Sequence, residues 1–187
     1  MEVDAIRSKE EIAKIKEFLG QKKAEYELLF IVGINTALRI GDLLSLTIGD
    51  VVDANGDIVS AVVLKEEKTG KMKRCPVNKS IRKALKKYFA EKGRRAPGEP
   101  LFLSRRGGGL SRYQVWRVLK AAGESVGLMN IGTHSLRKTF GYQVYKQSGS
   151  DIGLVQKLLN HSTSGTTLSY IGIDREDMDN ICLELNL

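Results

Sequence analysis

The sequence has little cysteine, little proline and no long apolar run. Its two cysteines, Cys75 and Cys182, lie far apart without a C-x-x-C pattern, so neither a disulfide framework nor a zinc ribbon is encoded. His134 and His161 have no local partner at metal-ligand spacing, which argues against a metal site. No stretch reaches the roughly 18 uninterrupted apolar residues of a membrane span, and the charged residues 1–4 are unlike a secretory signal. We therefore expect a protein of the reducing cytosol with no membrane span, metal or cofactor.

What the sequence does contain is a segregated positive charge. The 187 residues carry 30 Lys+Arg and 22 Asp+Glu, a net charge of +8. Lys65–Lys120 holds 18 basic and 4 acidic residues, a net charge of +14, so the remainder carries −6. A concentrated positive surface is typical of proteins that bind a polyanion, most often nucleic acid. The alternative is that these charged side chains only lie on solvent-exposed helix faces and loops.

Capping patterns and hydrophobic periodicity predict a series of helices. Ser8 and Glu11 form a capping box that opens the first helix, and Gly20 supplies its predicted end. The run from about Lys22 to Leu38 is apolar on most faces and predicts a central, buried helix. Further helices are predicted after Asn78, from the capping box of Ser111 and Gln114, from Thr133 toward Gln147, from Asp151 to about Leu159, and around Met178, Ile181 and Leu185.

A change of period between these helices marks a β-hairpin. Ile58–Leu64 is β-branched and apolar, Met72–Val77 is a second strand candidate, and Gly70 stands in the turn between them. Three prolines leave little material for linkers, and the length suits one hydrophobic core. We expect residues 1–187 to form a single domain of the α+β class, mainly helical, with one small antiparallel sheet.

Five side chains stand in segments that packing alone does not explain. Arg39 directly follows the predicted buried helix, and His134 and Arg137 are three apart on one helix face. His161 ends an apolar helix, a turn of small residues follows, and Tyr170 stands nine positions after that histidine. One arginine guanidinium can bind two phosphate oxygens at once, histidine can transfer protons near neutral pH, and a phenol can act as a nucleophile. Singly, each residue has an ordinary structural explanation; together they predict chemistry on a phosphate.

These residues closely resemble the motifs of the tyrosine recombinase, or phage integrase, catalytic domain. An A-L-R-x-x-[ED]-L segment stands at Ala37–Leu43, followed by H-x-x-R at His134 and Arg137. The last motif, L-x-H with a tyrosine nine residues after the histidine, lies in Leu159–Tyr170. The family often has glycine before that histidine, where this chain has Asn160; asparagine also accepts left-handed backbone angles.

The resemblance implies DNA cleavage and rejoining by transesterification without a metal. Tyr170 would attack the scissile phosphate to form a 3′-phosphotyrosyl link, and Lys68, in the hairpin turn, would protonate the leaving 5′ oxygen. Lys71 and Lys73 are alternative registers for that lysine. His134 would help to remove the phenol proton. The implied catalytic residues are Arg39, Lys68, His134, Arg137, His161 and Tyr170.

Other basic residues are predicted to contact DNA. Lysine and arginine neutralise backbone phosphates along a duplex and so position a protein without reading sequence. Arg106, Arg112, Gln114 and Arg117 are further candidates for contacts to base edges. The predicted DNA-binding residues are Lys71, Lys73, Arg82, Lys86, Arg105, Arg106, Arg112 and Arg117.

The resemblance also implies partners and a setting. The expected partners are double-stranded DNA and further protomers on it, which form a tetrameric synapse in the full-length protein. The expected setting is the bacterial cytoplasm and nucleoid, and the chain is expected to be encoded by a phage or mobile element. Core-binding or arm-binding domains usually precede the catalytic domain in this family, and we expect them to be absent here. We therefore expect the chain to be a catalytic fragment rather than an unusually short natural relative. Two alternatives stay open: a type IB topoisomerase that relaxes supercoils, and a non-catalytic DNA-binding relative.

Overall fold

A computed structural model describes residues 3–173 and 182–184 of the chain. Within this part the structure is mainly helical, with one two-stranded antiparallel sheet, which confirms the predicted fold class. No helix in the described part is long and apolar enough to cross a membrane. The elements are α1 (Lys9–Lys22), α2 (Ala24–Thr36), α3 (Ile40–Leu44), a 3₁₀ turn (Ile48–Asp50), β1 (Ala61–Lys65), β2 (Met72–Pro76), α4 (Lys79–Lys92), α5 (Arg112–Glu124), α6 (Thr133–Gln147), α7 (Ile152–Leu159) and α8 (Ser164–Ile171).

Helix α2 lies at the centre of the main hydrophobic core, as its apolar sequence predicts. Leu28, Leu29, Phe30 and Val32 are all buried, and α2 packs against α1, α4 and α6. The helix ends at Ala37, which adopts left-handed backbone angles with φ 54°. That reversal places Arg39 at the start of α3, beside the hairpin rather than in line with α2.

The hairpin forms where the change of period predicts it, with shorter strands. Val62 pairs with Cys75 in an antiparallel register. The first strand begins after the predicted Ile58 because that residue forms an isolated bridge with Val52 instead. A tight turn at residues 66–71 joins the two strands.

Two predicted boundaries are wrong. Helix α1 does not end at Gly20 but continues to Lys22, and the extended backbone of Lys23 (φ −169°) ends it. The small-residue stretch before Tyr170 is not a turn but helix α8. Thr163 opens that helix because its side chain accepts a hydrogen bond from the backbone N–H of Thr166.

A second, smaller apolar cluster joins α6, α7 and α8. Its buried members are Ala37, Val155, Leu159 and Ile171. Helices α6 and α8 approach so closely that a Cβ atom added at Gly141 would lie 2.7 Å from Ile171 Cγ2. The cluster fixes the helix that carries Tyr170. The predicted C-terminal apolar positions Met178, Ile181 and Leu185 lie outside the described residues.

Candidate active site

An open cavity of about 360 Å³ lies between α3, the hairpin turn, α5 and α6. Its lining includes Arg39, Lys68, Arg112 and His134. Four side chains that bind anions or move protons therefore face one space, although they are far apart in the sequence. Lys68 is exposed in the turn, and His134 is exposed in the first turn of α6.

Arg39 is held at the edge of this cavity by an acidic residue. Its Nη1 atom donates to Glu66 Oε1 at 2.7 Å. The buried Asp42, in the same short helix α3, accepts the backbone N–H of Glu67 through Oδ1 at 2.9 Å. Two carboxylates thus join the start of α3 to the hairpin turn.

Arg137 lies deeper, with only 4% of its surface exposed. Its guanidinium donates to the backbone carbonyls of Ala37 and Leu159. Those carbonyls end α2 and α7, so this one side chain joins the turn before Arg39 to the segment before His161.

His161 and Tyr170 face each other at the end of α7 and on α8. Asn160 adopts left-handed angles (φ 51°), as predicted, and ends α7 so that His161 turns inward. The ring centroids of His161 and Tyr170 are 4.9 Å apart in an edge-to-face arrangement. The Nδ1 atom of His161 lies 3.3 Å from Thr167 Oγ1, and Lys138 Nζ lies 5.4 Å from the centroid of the tyrosine ring.

The electrostatics of the site follow from burial and clustered positive charge. Burial raises the pKa of the Tyr170 phenol, although the neighbouring Arg137 opposes this, so the phenol is protonated at neutral pH. Partial desolvation of the two imidazole rings, and then the positive charge of Arg137, lowers the pKa of both His134 and His161. The charge of Arg39 also lowers the pKa of all three groups, so both guanidinium groups act electrostatically on the histidines and the tyrosine. Neutral histidines are able to accept a proton.

The predicted DNA-binding residues fall into two groups. Lys73 and Arg82 are engaged within the protein: Lys73 Nζ donates to Ala37 O at 3.1 Å, and the Arg82 guanidinium donates to Ile58 O and Val59 O. The other side chains are exposed, and Arg105, Arg106 and Arg117 share a groove of about 860 Å³ beside α5. The exposed residues are Lys71, Lys86, Arg105, Arg106, Arg112 and Arg117.

Sequence analysis missed Glu66. Its signal is the alternation of β1, since Val62 and Leu64 face the protein interior and the next inward position is Glu66. An acid at an inward position of a basic hairpin indicates a buried ion pair.

Comparison with known proteins gives consistent matches. A family model described as the phage integrase family matches residues 7–176. The probable integrase/recombinase YoeC of Bacillus subtilis (strain 168) is 41% identical over 175 residues, which cover 93% of this chain and 92% of YoeC. The chain spans about half of the length (47–48%) of several XerC and XerD tyrosine recombinases that it matches.

Solved structures show the same fold. The structure of XerA recombinase superposes with a TM-score of 0.74 at 22% identity, covering 100% of this chain and 66% of XerA. A lambda integrase tetramer bound to a Holliday junction superposes with a TM-score of 0.66 at 22% identity, covering 91% of this chain and 48% of the integrase.

Proposed function

This chain belongs to the phage integrase family, and on that premise we propose that it cleaves and rejoins DNA at specific sites through a covalent link to Tyr170. The observation that carries the proposal is the convergence of Arg39, Arg137 and His161 around Tyr170, next to the cavity lined by Lys68 and His134. This arrangement supplies positive charge, proton carriers and a nucleophile at one place.

The phosphoryl transfer follows from these positions. The Tyr170 oxygen attacks phosphorus, its proton passes to neutral His134, and the bond from phosphorus to the 5′ oxygen breaks. Lys68 gives a proton to that leaving oxygen. Arg39 and Arg137 stabilise the extra negative charge on the non-bridging oxygens in the transition state, with His161 as a hydrogen-bond donor.

The covalent intermediate makes strand exchange possible without an energy source. The phosphotyrosyl bond replaces one phosphodiester by another, so a 5′ hydroxyl from a second strand can attack it and release Tyr170. Cleavage and rejoining are the same reaction run in opposite directions.

Double-stranded DNA and further protomers are the proposed partners. The exposed Arg105, Arg106, Arg112 and Arg117 would contact the duplex beside the cavity. We leave Lys73 and Arg82 out of this surface, because protein carbonyls occupy their charged groups. The lambda integrase structure, a tetramer on a Holliday junction, supports assembly on DNA as the arrangement for this chain.

Covalent capture from a mixed DNA pool tests the function. The duplexes have randomised flanks and a nick placed so that the short fragment released with the 5′ hydroxyl diffuses away. They are incubated with the wild type, and DNA that stays bound after denaturation is sequenced. We expect adducts enriched in one sequence, and none with Tyr170→Phe although that variant still binds DNA. Adducts without sequence preference, together with relaxation of supercoiled plasmid, would favour the topoisomerase alternative; DNA binding without any adduct would favour the non-catalytic one.

A further inference from the structure

Glu66 is a buried acid in the most basic part of the chain. It directly follows β1, and only 3% of its surface is exposed. The next residue, Glu67, is also acidic but points outward, with 74% of its side chain exposed. Burying an ionised carboxylate costs free energy unless charges and hydrogen bonds compensate it. The position therefore calls for a physical explanation.

The Glu66 carboxylate contacts three different parts of the site. Its Oε1 atom accepts from Arg39 Nη1 at 2.7 Å and lies 3.8 Å from Lys73 Nζ. Its Oε2 atom accepts from the Thr69 hydroxyl at 2.7 Å. One carboxylate thus joins the start of α3, strand β2 and the hairpin turn.

The Glu66 backbone also closes the turn that holds Lys68. Its N–H donates to Lys71 O at 2.9 Å, and its carbonyl accepts from Gly70 N, also at 2.9 Å. Lys68 is two residues after Glu66 and one before Thr69, so contacts of Glu66 fix both sides of the lysine. The Lys68 side chain itself stays exposed toward the cavity.

The carboxylate is ionised in the folded protein. Burial alone would raise the pKa of Glu66, but the Thr69 hydroxyl and the charges of Arg39 and Lys73 outweigh it and hold the pKa below its ordinary value. A fixed negative charge at this point orients Arg39 and offsets part of the positive charge of the cavity.

We propose that Glu66 is a positioning residue that fixes the Arg39 guanidinium and the Lys68 turn relative to each other. This inference rests on the proposed function, in which Arg39 stabilises the transition state and Lys68 protonates the leaving group. A residue that served stability alone would have no effect on the cleavage rate of folded, DNA-bound protein.

Glu66→Gln tests this against a matched buried acid. Gln keeps the size of the side chain but places an NH₂ group against either Arg39 or Thr69. We expect at least a tenfold slower adduct formation at saturating DNA, with Kd unchanged within about twofold. The control is Glu25→Gln, since Glu25 is also buried and its carboxylate lies 3.6 Å from Lys23, at the opposite end of α2 from Arg39. That variant should lose stability and cleave at the wild-type rate once folded. Cleavage by Glu66→Gln at the wild-type rate, or a loss explained by its folded or DNA-bound fraction, would overturn the proposal.

A modified substrate separates the link of Glu66 to Arg39 from its link to the Lys68 turn. Thr69→Val removes the two hydrogen bonds of the Thr69 hydroxyl, to Glu66 and from the Lys71 backbone N–H, and leaves the bond between Glu66 and Arg39 in place. Both lost bonds lie in the hairpin turn, so the defect should lie in protonation by Lys68. DNA with a bridging 5′ sulfur at the scissile phosphate needs no such protonation, because a thiolate leaves unaided. Thr69→Val should therefore cleave normal DNA slowly and the sulfur substrate at the wild-type rate. A defect that persists with sulfur would contradict the link through Lys68.

A measurement without DNA keeps this inference separable from the proposed function. In ¹⁵N spectra of arginine side chains, a guanidinium fixed by a carboxylate gives resolved, slowly exchanging N–H signals. Arg39 should show them in the wild type and lose them in Glu66→Gln. If the wild type forms no adduct, the proposed function fails, while unchanged Arg39 signals in Glu66→Gln would refute the positioning role.

Discussion

At the scale of single residues, the two arginines of the site are held in different ways. Arg137 is buried and bound to two backbone carbonyls, which fix the plane of its guanidinium. Arg39 is partly exposed and bound to a carboxylate. Arg137 therefore has a structural task and a chemical one, and a planar group with five donors can perform both at once.

Arg137→Lys tests that double task. Lysine keeps the charge but cannot reach both carbonyls and a phosphate, so we expect adduct formation to fall roughly 10²–10³-fold, as when a preorganised donor is lost from a transition state. Arg95→Lys is the matched control, because Arg95 also donates to two carbonyls, those of Pro100 and Leu101, away from the cavity. Single-turnover rates of both variants decide the outcome; equal losses would contradict a chemical role for Arg137.

The two histidines predict a pH dependence of stability. The pKa of His134 and of His161 is lower in the folded protein than in the unfolded chain. Between the two values the unfolded chain binds more protons, so the free energy of unfolding should fall as the pH drops from about 7 to about 5. Urea unfolding at several pH values measures this slope. The double variant His134→Gln with His161→Gln should have a flatter slope, and an unchanged slope would contradict the assignment.

At the scale of elements, α8 is held by the small cluster that it forms with α6 and α7. Its position depends on the absence of a side chain at Gly141, where the helices meet. The position of the tyrosine therefore depends on this local packing, in a cluster distinct from the main core around α2.

Gly141→Ala should displace α8. The added methyl group would meet Ile171 Cγ2 at 2.7 Å and Leu159 Cδ1 at 3.1 Å, and overpacking of this kind costs about 1–3 kcal/mol. We expect the adduct yield to fall by more than DNA binding does. Gly165→Ala, in α8 itself, has nothing within 4 Å of the added atom and should change stability by less than about 1 kcal/mol. Urea unfolding and adduct yield check both variants; a normal yield from a destabilised Gly141→Ala would show that α8 tolerates the shift.

The elements also show how far the sequence alone predicts the structure. Capping boxes located α1 and α5 because their hydrogen bonds are local, whereas the role of the tyrosine stays a prediction from the recombinase pattern. Helix α8 was missed because its small polar residues have little apolar periodicity, and only Thr163 signals its start. The partners of Glu66 and Lys73, which are Arg39 and the Ala37 carbonyl, lie in distant segments, and the sequence pattern does not encode these contacts.

At the scale of the whole molecule, positive charge is concentrated in one part of the chain, as the proposed binding of a duplex requires. The exposed arginines beside α5 add to the positive charge around the cavity, whereas the remainder of the chain is net acidic.

Salt dependence of binding measures this arrangement. If about six phosphates are contacted, the slope of log K against log salt should be near −5. Replacing Arg105, Arg106 and Arg117 by alanine should reduce its magnitude by about 2.7, from roughly 0.9 per contact. Alanine at the exposed Lys9 and Lys16 of α1 should leave the slope unchanged. Equal effects of the two sets, measured by fluorescence anisotropy, would show that the binding surface lies elsewhere.

The central claim is that Tyr170 becomes covalently joined to DNA phosphate, and peptide mass spectrometry of the trapped adduct tests it most directly. After nuclease and protease digestion, the account predicts a nucleotide-modified peptide with the modification on Tyr170, and no modified peptide from Tyr170→Phe. A modification on Tyr142 or Tyr145 instead, or an adduct that survives in Tyr170→Phe, would contradict it.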